Sequence, residues 1–503
     1  KDIIPQGDIG LRFEMKNLGF QNFYRFVKTN KYKVNGLVDA NVNLLNIFGK
    51  MAFTGDGNIR KLTLNKDSLG AFNFAASNNS ADGRINLTAS LNGNAYDVKA
   101  KGYYSTNNVD SSLNMKVDVI QCNMHLLQSF LYDYISQVEG NAGGELYLTG
   151  NLKQPQLTGK LTFPFAKVKV NYLGTKYWLG KSVVTFKPDT IQFNKLVLND
   201  STQKMHADFN GVITHQHLHS FLLNASMHTD NFQVLNTTSK DNSLFYGKAF
   251  CSGTFHFTGP FNQMEINGDD LVSKPGTAIA IPISEEPDVY SHDFIQYINV
   301  PGQTVKPVDK KFKPLNGLKL NLNMQVTTDA FMQLIFNQRS GDIMQGHGEG
   351  NLQLHIATTG EFTMNGNIVI QDGDYRFTLQ DYLFNKYFTV AKGGTIKWDG
   401  DPYEAKINIT AQYKTQGALS DLGISESTKP IDLILGLNMT GSLLKTDVTF
   451  DINVNNTTPN QEMTATLDKI KQDANELNKQ VFGLLILNRF LPQTISALDI
   501  GQQ

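Results

Sequence analysis

Apolar and polar residues alternate one for one along most of this chain, and that period excludes more folds than any other feature of it. In "AKINITAQY", Ala405, Ile407, Ile409, Ala411 and Tyr413 fall on one side of an extended backbone, and Lys406, Asn408, Thr410 and Gln412 on the other. The alternation recurs at Ile85, Leu87, Ala89 and Leu91; at Leu113, Met115, Val117 and Val119; at Leu318, Leu320, Leu322 and Met324; and at Leu352, Leu354 and Ile356. It returns at Ile431, Leu433, Leu435, Leu437 and Met439, and at Val448, Phe450, Ile452 and Val454. Each run is a strand with one apolar and one wet face. Asp399-Gly400-Asp401-Pro402 reverses the chain as a hairpin, because Asp-Gly tolerates positive φ and proline cannot continue a central strand. Asp56-Gly57, Asn78-Asn79, Asp82-Gly83, Asn92-Gly93 and Asp372-Gly373 are further turn signals. The pattern predicts an all-β fold of antiparallel strands. At about 12 residues per strand and turn the chain holds roughly 40 strands, and at about 4.8 Å each a single stack reaches on the order of 190 Å.

Three segments break the rhythm. Residues 123–136 (NMHLLQSFLYDYIS) place Leu127, Phe130, Leu131, Tyr134 and Ile135 at three-to-four spacing, which predicts a short inserted amphipathic helix. Near the end, Leu467, Ile470, Ala474, Leu477, Val481, Leu484 and Leu485 keep a heptad-like stripe stopped by Pro492. Leu477, Val481, Leu484 and Leu485 are expected to dock this helix on the last strands or on a partner. Six of the 15 prolines fall between Pro275 and Pro314, which marks a lateral insertion.

Little in the chain points to catalysis. Forty-five Lys and Arg against 46 Asp and Glu leave a formal charge of -1, so the basic footprint of a nucleic-acid protein is missing. Cys122 and Cys251 are the only cysteines, which excludes a disulfide framework. His215, His217 and His219 in "HQHLH" would share a strand face, but no carboxylate or cysteine beside them completes a metal site; a polar strand face or a turn explains them. "GHGEG" (346–350) lacks the strand-turn-helix context of a phosphate loop and is read as bulges or flat strand packing. Glu285 and Glu286, beside Pro287, are read as solvated surface, and neither G-x-S-x-G nor H-E-x-x-H occurs. The expectation is a protein that is not an enzyme and needs no cofactor.

The apolar faces then carry the functional reading. A β-sandwich would bury them against a second sheet, but sandwiches come in bounded units of about 100 residues, and the alternation here runs on. A membrane barrel needs aromatic girdles and a closing strand, whereas this chain has two Trp and ends in a helical pattern.

Residues 360–415, "GEFTMNGNIVIQDGDYRFTLQDYLFNKYFTVAKGGTIKWDGDPYEAKINITAQYKT", resemble the signature of the TamB C-terminal domain of the AsmA-like proteins, in particular its Bacteroidota-type members. "ELNKQVFGLLILNRFLP" (476–492) and "AIPISEEPDVYSHDFIQYI" (280–298) resemble the same family. The similarity is specific over roughly 315–492 and looser in units such as "EGNAGGELYLTGNLKQPQLTGKL" (139–161). The resemblance implies an elongated, U-shaped antiparallel β-groove with a hydrophobic interior, tethered to the inner membrane by an N-terminal anchor and meeting an Omp85/TamA-type outer-membrane barrel across the periplasm. It implies movement of phospholipid between the membranes, with assembly or secretion of outer-membrane β-barrel proteins as the alternative role. No signal peptide or anchor is visible in KDIIPQGDIG, and the chain stops soon after Pro492, where family members continue into a segment that engages the barrel; a fragment is expected.

On this reading, groove segments at 1–122 and 137–270 flank the helix at 123–136. A proline-rich insertion follows at 271–314, then the TamB-type groove at 315–456 and the terminal helix at 457–503. The insertion is expected to lie over the groove opening or on a neighbour, because Ile279, Ile281 and Ile283 need cover. Phospholipid acyl chains are expected on Leu318, Leu320, Leu322, Leu352, Leu354, Ile356, Ile368, Ile370, Ile407, Ile409, Leu433, Leu435, Leu437, Val448, Phe450 and Ile452.

Overall fold

The structure, a computed structural model, describes residues 10–20, 22, 33–47, 51–65, 67–79, 83–107, 111–201, 205–242, 244–283, 317–337, 341–358, 360–379, 384–424, 429–455 and 461–492. It is all-β, about 70% strand and 10% helix. The chain divides into two compact units. The first comprises Lys1–Gln233, Thr254–Asn267 and Lys313–Lys319; the second comprises Val234–Gly253, Gly268–Phe312 and Leu320–Gln503.

In the first unit β1 (Leu11–Gly19), β2 (Val34–Leu45), β3 (Ala52–Leu64), β4 (Asp67–Asn79), β5 (Arg84–Gly93), β6 (Tyr96–Ser105), β7 (Leu113–Asn123), β8 (Ile135–Gly150) and β9 (Pro155–Phe163) each pair antiparallel with the next. β10 (Ala166–Val170) and β11 (Thr175–Leu179) form a hairpin on the first half of β8. β12 (Ser182–Lys187) returns to β9 and leads through β13 (Thr190–Asn199) and β14 (His206–Gln216) to β15 (His219–Thr237).

The helix predicted over 123–136 is confined to α1 (His125–Phe130). Ile135 and Ser136 are drawn instead into the ladder with Val170 and Lys169. Asp67 holds α1 in place, accepting from Ser129 Oγ at 2.6 Å and bonding His125 Nδ1 at 2.6 Å. Its apolar residues Leu127 and Phe130 are exposed.

Further strands are β16 (Tyr246–Pro260), β17 (Glu265–Ser273), β18 (Ala278–Pro282), β19 (Lys319–Val326), β20 (Phe331–Asn337), β21 (Asp342–Ala357), β22 (Phe362–Leu379), β23 (Phe384–Val390), β24 (Thr395–Gly400), β25 (Lys406–Ala418), β26 (Pro430–Ser442) and β27 (Thr446–Val454). Two helices, α2 (Gln461–Gln472) and α3 (Ala474–Leu487), follow. The expected hairpin at 399–402 joins β24 to β25, with Ile396 opposite Ile407.

The differences from the sequence reading have identifiable physical causes. The described strands number 27, fewer and longer than the roughly 40 expected, because β15 alone runs for 19 residues and β22 for 18. Asp56-Gly57 and Asp372-Gly373 lie inside β3 and β22, since their glycines serve close packing rather than a turn. A Cβ on Gly57 would strike the Phe74 ring, and Gly373 faces Gly346 across the ladder. β18 runs parallel to β20, a departure from the antiparallel rule. Strands this far apart in sequence leave the long connection a parallel crossover requires. The start of the expected insertion is therefore a sheet strand: Ile279 and Ile281 sit in β18, and Ile283 is buried beyond it. The expected cover over a groove opening falls on 284–316, outside the described residues.

"GHGEG" lies within β21, with a register shift between His347 and Gly348. A Cβ on Gly350 would collide with the carbonyl of Asn367. Gly350→Val is expected to destabilise the second unit by about 1–3 kcal/mol. Gly436→Ala, whose Cβ would meet Asp451 Cβ at an ordinary 3.4 Å, should stay within about 0.5 kcal/mol. Urea unfolding of the two variants checks the pair.

Candidate functional site

Each strand of the first unit presents every second residue to one face, and the registers align these residues into rows that cross the sheet. One row runs Leu18, Val38, Ile59, Phe72, Leu91, Val98, Val119, Gly144, Leu161, Val184, Phe193, Gly211 and Ala225, from β1 to β15 with β10 and β11 left aside. Its neighbour runs Met15, Ala40, Gly57, Phe74, Ala89, Ala100, Val117, Leu146, Gly159, Phe186, Ile191, Ile213 and Leu223 across the same strands. Neither row contains a charged or hydrogen-bonding side chain. Twelve strand spacings of about 4.8 Å make each a path of roughly 58 Å.

These rows are not closed over along their length. Phe72, Leu91, Val98, Val119, Leu161 and Val184 are half-buried, as are Phe74, Ala89, Ala100, Val117, Leu146 and Phe186. Only toward the ends do they sink into local cores, with Val38, Ala40 and Ile59 at one end and Phe193, Leu223 and Ala225 at the other. The opposite face is wet: Asn86, Thr88, Lys99 and Lys101 are exposed, and Lys116 bridges Asp118 and Glu145 at 2.8 Å each.

The second unit builds a like face and fills it. Leu352, Ile368, Ile370, Ile407, Ile409, Leu433, Leu435, Leu437 and Ile452 come together in one cluster, with Leu354 and Phe450 packed against it. Leu433, Leu435, Leu437 and Ile452 are 0% exposed. Leu318, Leu320, Leu322, Ile356 and Val448 stand outside that cluster, and Val448 is 43% exposed. Between Met332, Leu334, Met344, Ile368, Ile370, Val390 and Ile396 a cavity of about 30 Å³ remains, room for one or two waters and not for an acyl chain. A ladder of rings crosses the same unit: Phe336, Tyr375, Phe377, Phe388 and Tyr413 lie with successive centroids 5.6–6.1 Å apart. Burial pushes the pKa of Tyr375 up, and that of its hydrogen-bond partner Asp342 as well.

Part of the filling comes from the C-terminal helices. The single stripe expected from the sequence is broken at Asp473, which caps α3 by accepting the backbone N–H groups of Asn475 and Glu476. Val481, Leu484 and Leu485 of α3 are 0% exposed and Leu477 is 9%. Leu484 Cδ2 and Phe490 Cε2 lie 2.8 and 2.9 Å from where a Cβ on Gly417 of β25 would stand, and Phe482 meets Phe450 of β27 edge-on at 5.6 Å. Asn488 ends α3 in the left-handed region. The buried Gln480 then pins the returning chain, donating to Leu491 O at 2.7 Å and accepting from Leu491 N at 2.8 Å.

The histidines of "HQHLH" do not share a strand face. They form the β14–β15 turn, where His217 and Leu218 take positive φ and His215 Nδ1 accepts from Leu218 N at 3.2 Å. Burial lowers the pKa of His215. Among the described residues no group of three or more His, Cys, Asp or Glu is placed to hold a metal, and no helix is long and apolar enough to cross a membrane.

The family model of the TamB C-terminal domain matches residues 194–502, more than half of the chain and well upstream of the 315–492 stretch whose motifs are most specific. The chain belongs to the TamB family. No curated protein matches it by sequence. TamB proteins are components of the bacterial envelope, so membership carries a role in envelope assembly or lipid transport alongside an outer-membrane partner. In this TamB chain the open rows lie within the stretches expected as groove segments at 1–122 and 137–270, but none of their residues is among the expected acyl-chain contacts, which begin at Leu318. The signal was present in Phe72 and Phe74, Leu87 to Leu91 and Val117 to Val119, but only the registers show that the strands align into rows.

Lys471 Nζ bonds Asp451 Oδ1 at 2.9 Å and Asn453 Oδ1 at 3.1 Å, tying α2 to β27. Burial opposes ionisation of Asp451, but the hydrogen bonds from Lys471 and Asn453 outweigh it and hold the carboxyl below its usual value. A lowered carboxyl pKa stabilises the fold above the unfolded value of about 3.9 and loses that contribution as pH falls through the folded one. The pair is part-exposed, so about 0.2–1 kcal/mol is expected. Urea midpoints of the parent and Lys471→Met should differ by a constant amount well above the unfolded carboxyl value and converge as pH falls through the lowered value of Asp451.

Proposed function

We propose that this chain is a non-enzymatic conduit that carries phospholipid by its acyl chains along apolar sheet faces, between the inner and outer membranes. It would work with an Omp85/TamA-type outer-membrane barrel and be held at the inner membrane by an N-terminal anchor outside these residues. The observation that supports this best is the pair of uncharged rows from β1 to β15, half-open along most of their length. Each acyl methylene kept from water contributes about 0.8 kcal/mol. A passage must spread that gain evenly, because one deep pocket would trap its lipid and one wet gap would stop it. The rows do this by repetition: Val98, Val119 and Leu161 give nearly the same surface strand after strand, and Gly144 and Gly159 leave no side chain in the way.

A charge on the rows tests the proposal. Leu91→Asp should slow phospholipid transfer between donor and acceptor vesicles. The upper bound is about 70- to 400-fold, by the 2.5–3.5 kcal/mol cost of a charge at a bilayer centre. Leu91 is only partly buried, so the variant is expected to fold, which circular dichroism checks. Thr88→Asp, on the wet face, should leave transfer unchanged. Transfer at the parent rate by folded Leu91→Asp would reject the conduit. Purified protein that carries no phospholipid, but whose strand edges crosslink to unfolded barrel segments, would favour a scaffold for outer-membrane β-barrel proteins instead.

A further inference from the structure

The apolar face of the second unit carries the same kind of strand alternation as that of the first, yet Leu433, Leu435, Leu437 and Ile452 are wholly covered while Leu91, Val98 and Val119 are half-open. The difference is not in the strands. It lies in what packs on them, and α2 and α3, which pack on β25 and β27, supply eight buried apolar residues with the chain that follows them. Given the conduit reading, on which this inference rests, we propose that the α2–α3 pair is a lid that occupies the acyl-chain position on β25–β27 and leaves it when lipid arrives.

Five features support a lid over a permanent core. The seat is shaped for a guest: Gly417 leaves on β25 the space that Leu484 and Phe490 fill. The space among Met332, Met344 and Ile396 in the same unit measures about 30 Å³, too little for an acyl chain. The contacts with the seat are aliphatic and aromatic, namely Val481, Leu484, Leu485 and Phe482 on Leu433, Phe450 and their neighbours; such contact is non-directional and hydrocarbon can replace it. The polar ties lie at the rim. Lys471 bonds Asp451 at 2.9 Å, Arg489 bonds Asp421 at 3.3 Å, and Thr415 Oγ1 donates to Asn488 Oδ1 at 3.4 Å. The outer side of α3 is also apolar, with Ile486 and Leu487 50% and 55% exposed. On leaving the sheet the helix exchanges one apolar partner for another wherever lipid is present.

The test uses the full chain with both native cysteines replaced (Cys122→Ser, Cys251→Ala), and phosphatidylethanolamine–phosphatidylglycerol vesicles doped with a phospholipid that carries a photoreactive acyl chain. Two variants move the lid without touching the seat. Lys471→Glu with Arg489→Glu reverses both rim ion pairs; Asp421→Cys with Arg489→Cys allows a short bis-maleimide to clamp the lid shut. Acyl adducts on β25–β27 peptides should rise at least 10-fold in the rim variant over the parent and vanish in the clamped protein, while adducts on β5–β7 peptides stay the same in all three. Thiol labelling of an added Leu435→Cys should follow the same order and accelerate at least 10-fold with vesicles. Undiminished β25–β27 adducts in the clamped protein, with β5–β7 adducts present, would overturn the lid and leave the conduit standing. Absence of β5–β7 adducts from every variant would remove the conduit, and the lid with it.

Discussion

Register on one sheet face is the constraint from which the rest follows. A strand shifted by a single residue would turn its whole apolar set to the wet side, so the rows from Leu18 to Ala225 exist only because each hairpin holds its phase. Where a strand gains a residue, the extra position is absorbed in a local register shift, as between Phe193 and Leu196 or between Val119 and Cys122, and the apolar phase resumes beyond it. The glycines of the rows belong to the same requirement. Gly144 and Gly159 approach the neighbouring backbone so closely that a Cβ would meet the carbonyls of Lys160 and Glu145.

A face built this way offers hydrocarbon surroundings, and what occupies them decides what the unit does. In the first unit the middle of each row is half-buried; in the second, Leu433, Leu435, Leu437 and Ile452 are wholly buried in one cluster with Val481, Leu484 and Leu485 of α3. The two conditions answer the physical cost of exposed apolar surface in two ways. On the proposed conduit an open row is covered by a passing acyl chain, and on the proposed lid a closed one is covered by the chain's own helix until lipid displaces it.

Much of this was legible before any coordinates. Period two predicts the strands that contain Ile85 to Leu91, Leu113 to Val119, Leu352 to Ile356 and Leu433 to Met439, and the three-to-four stripe of Leu477, Val481, Leu484 and Leu485 names the buried side of α3. What local pattern could not show was long-range. Asp56-Gly57 reads as a turn unless the ring of Phe74, 17 residues on from Gly57, is known to cover the glycine. The parallel pairing of β18 with β20 depends on a partner some 50 residues away, and the break at Asp473 depends on a cap that competes with the heptad. The open rows of the first unit needed twelve registers to be known together. Burial of Leu435 was equally out of reach, because a strand's own sequence says which residues want cover and not what provides it.

The central claim is that acyl chains lie on the apolar rows, and the most direct measurement is a photoreactive amino acid placed at Val98, with a second protein carrying it at the adjacent Lys99 on the wet face. After irradiation in cells and purification, mass spectrometry should find phospholipid joined to position 98 and none joined to position 99. Equal adducts at both positions, or none at either, would contradict the account.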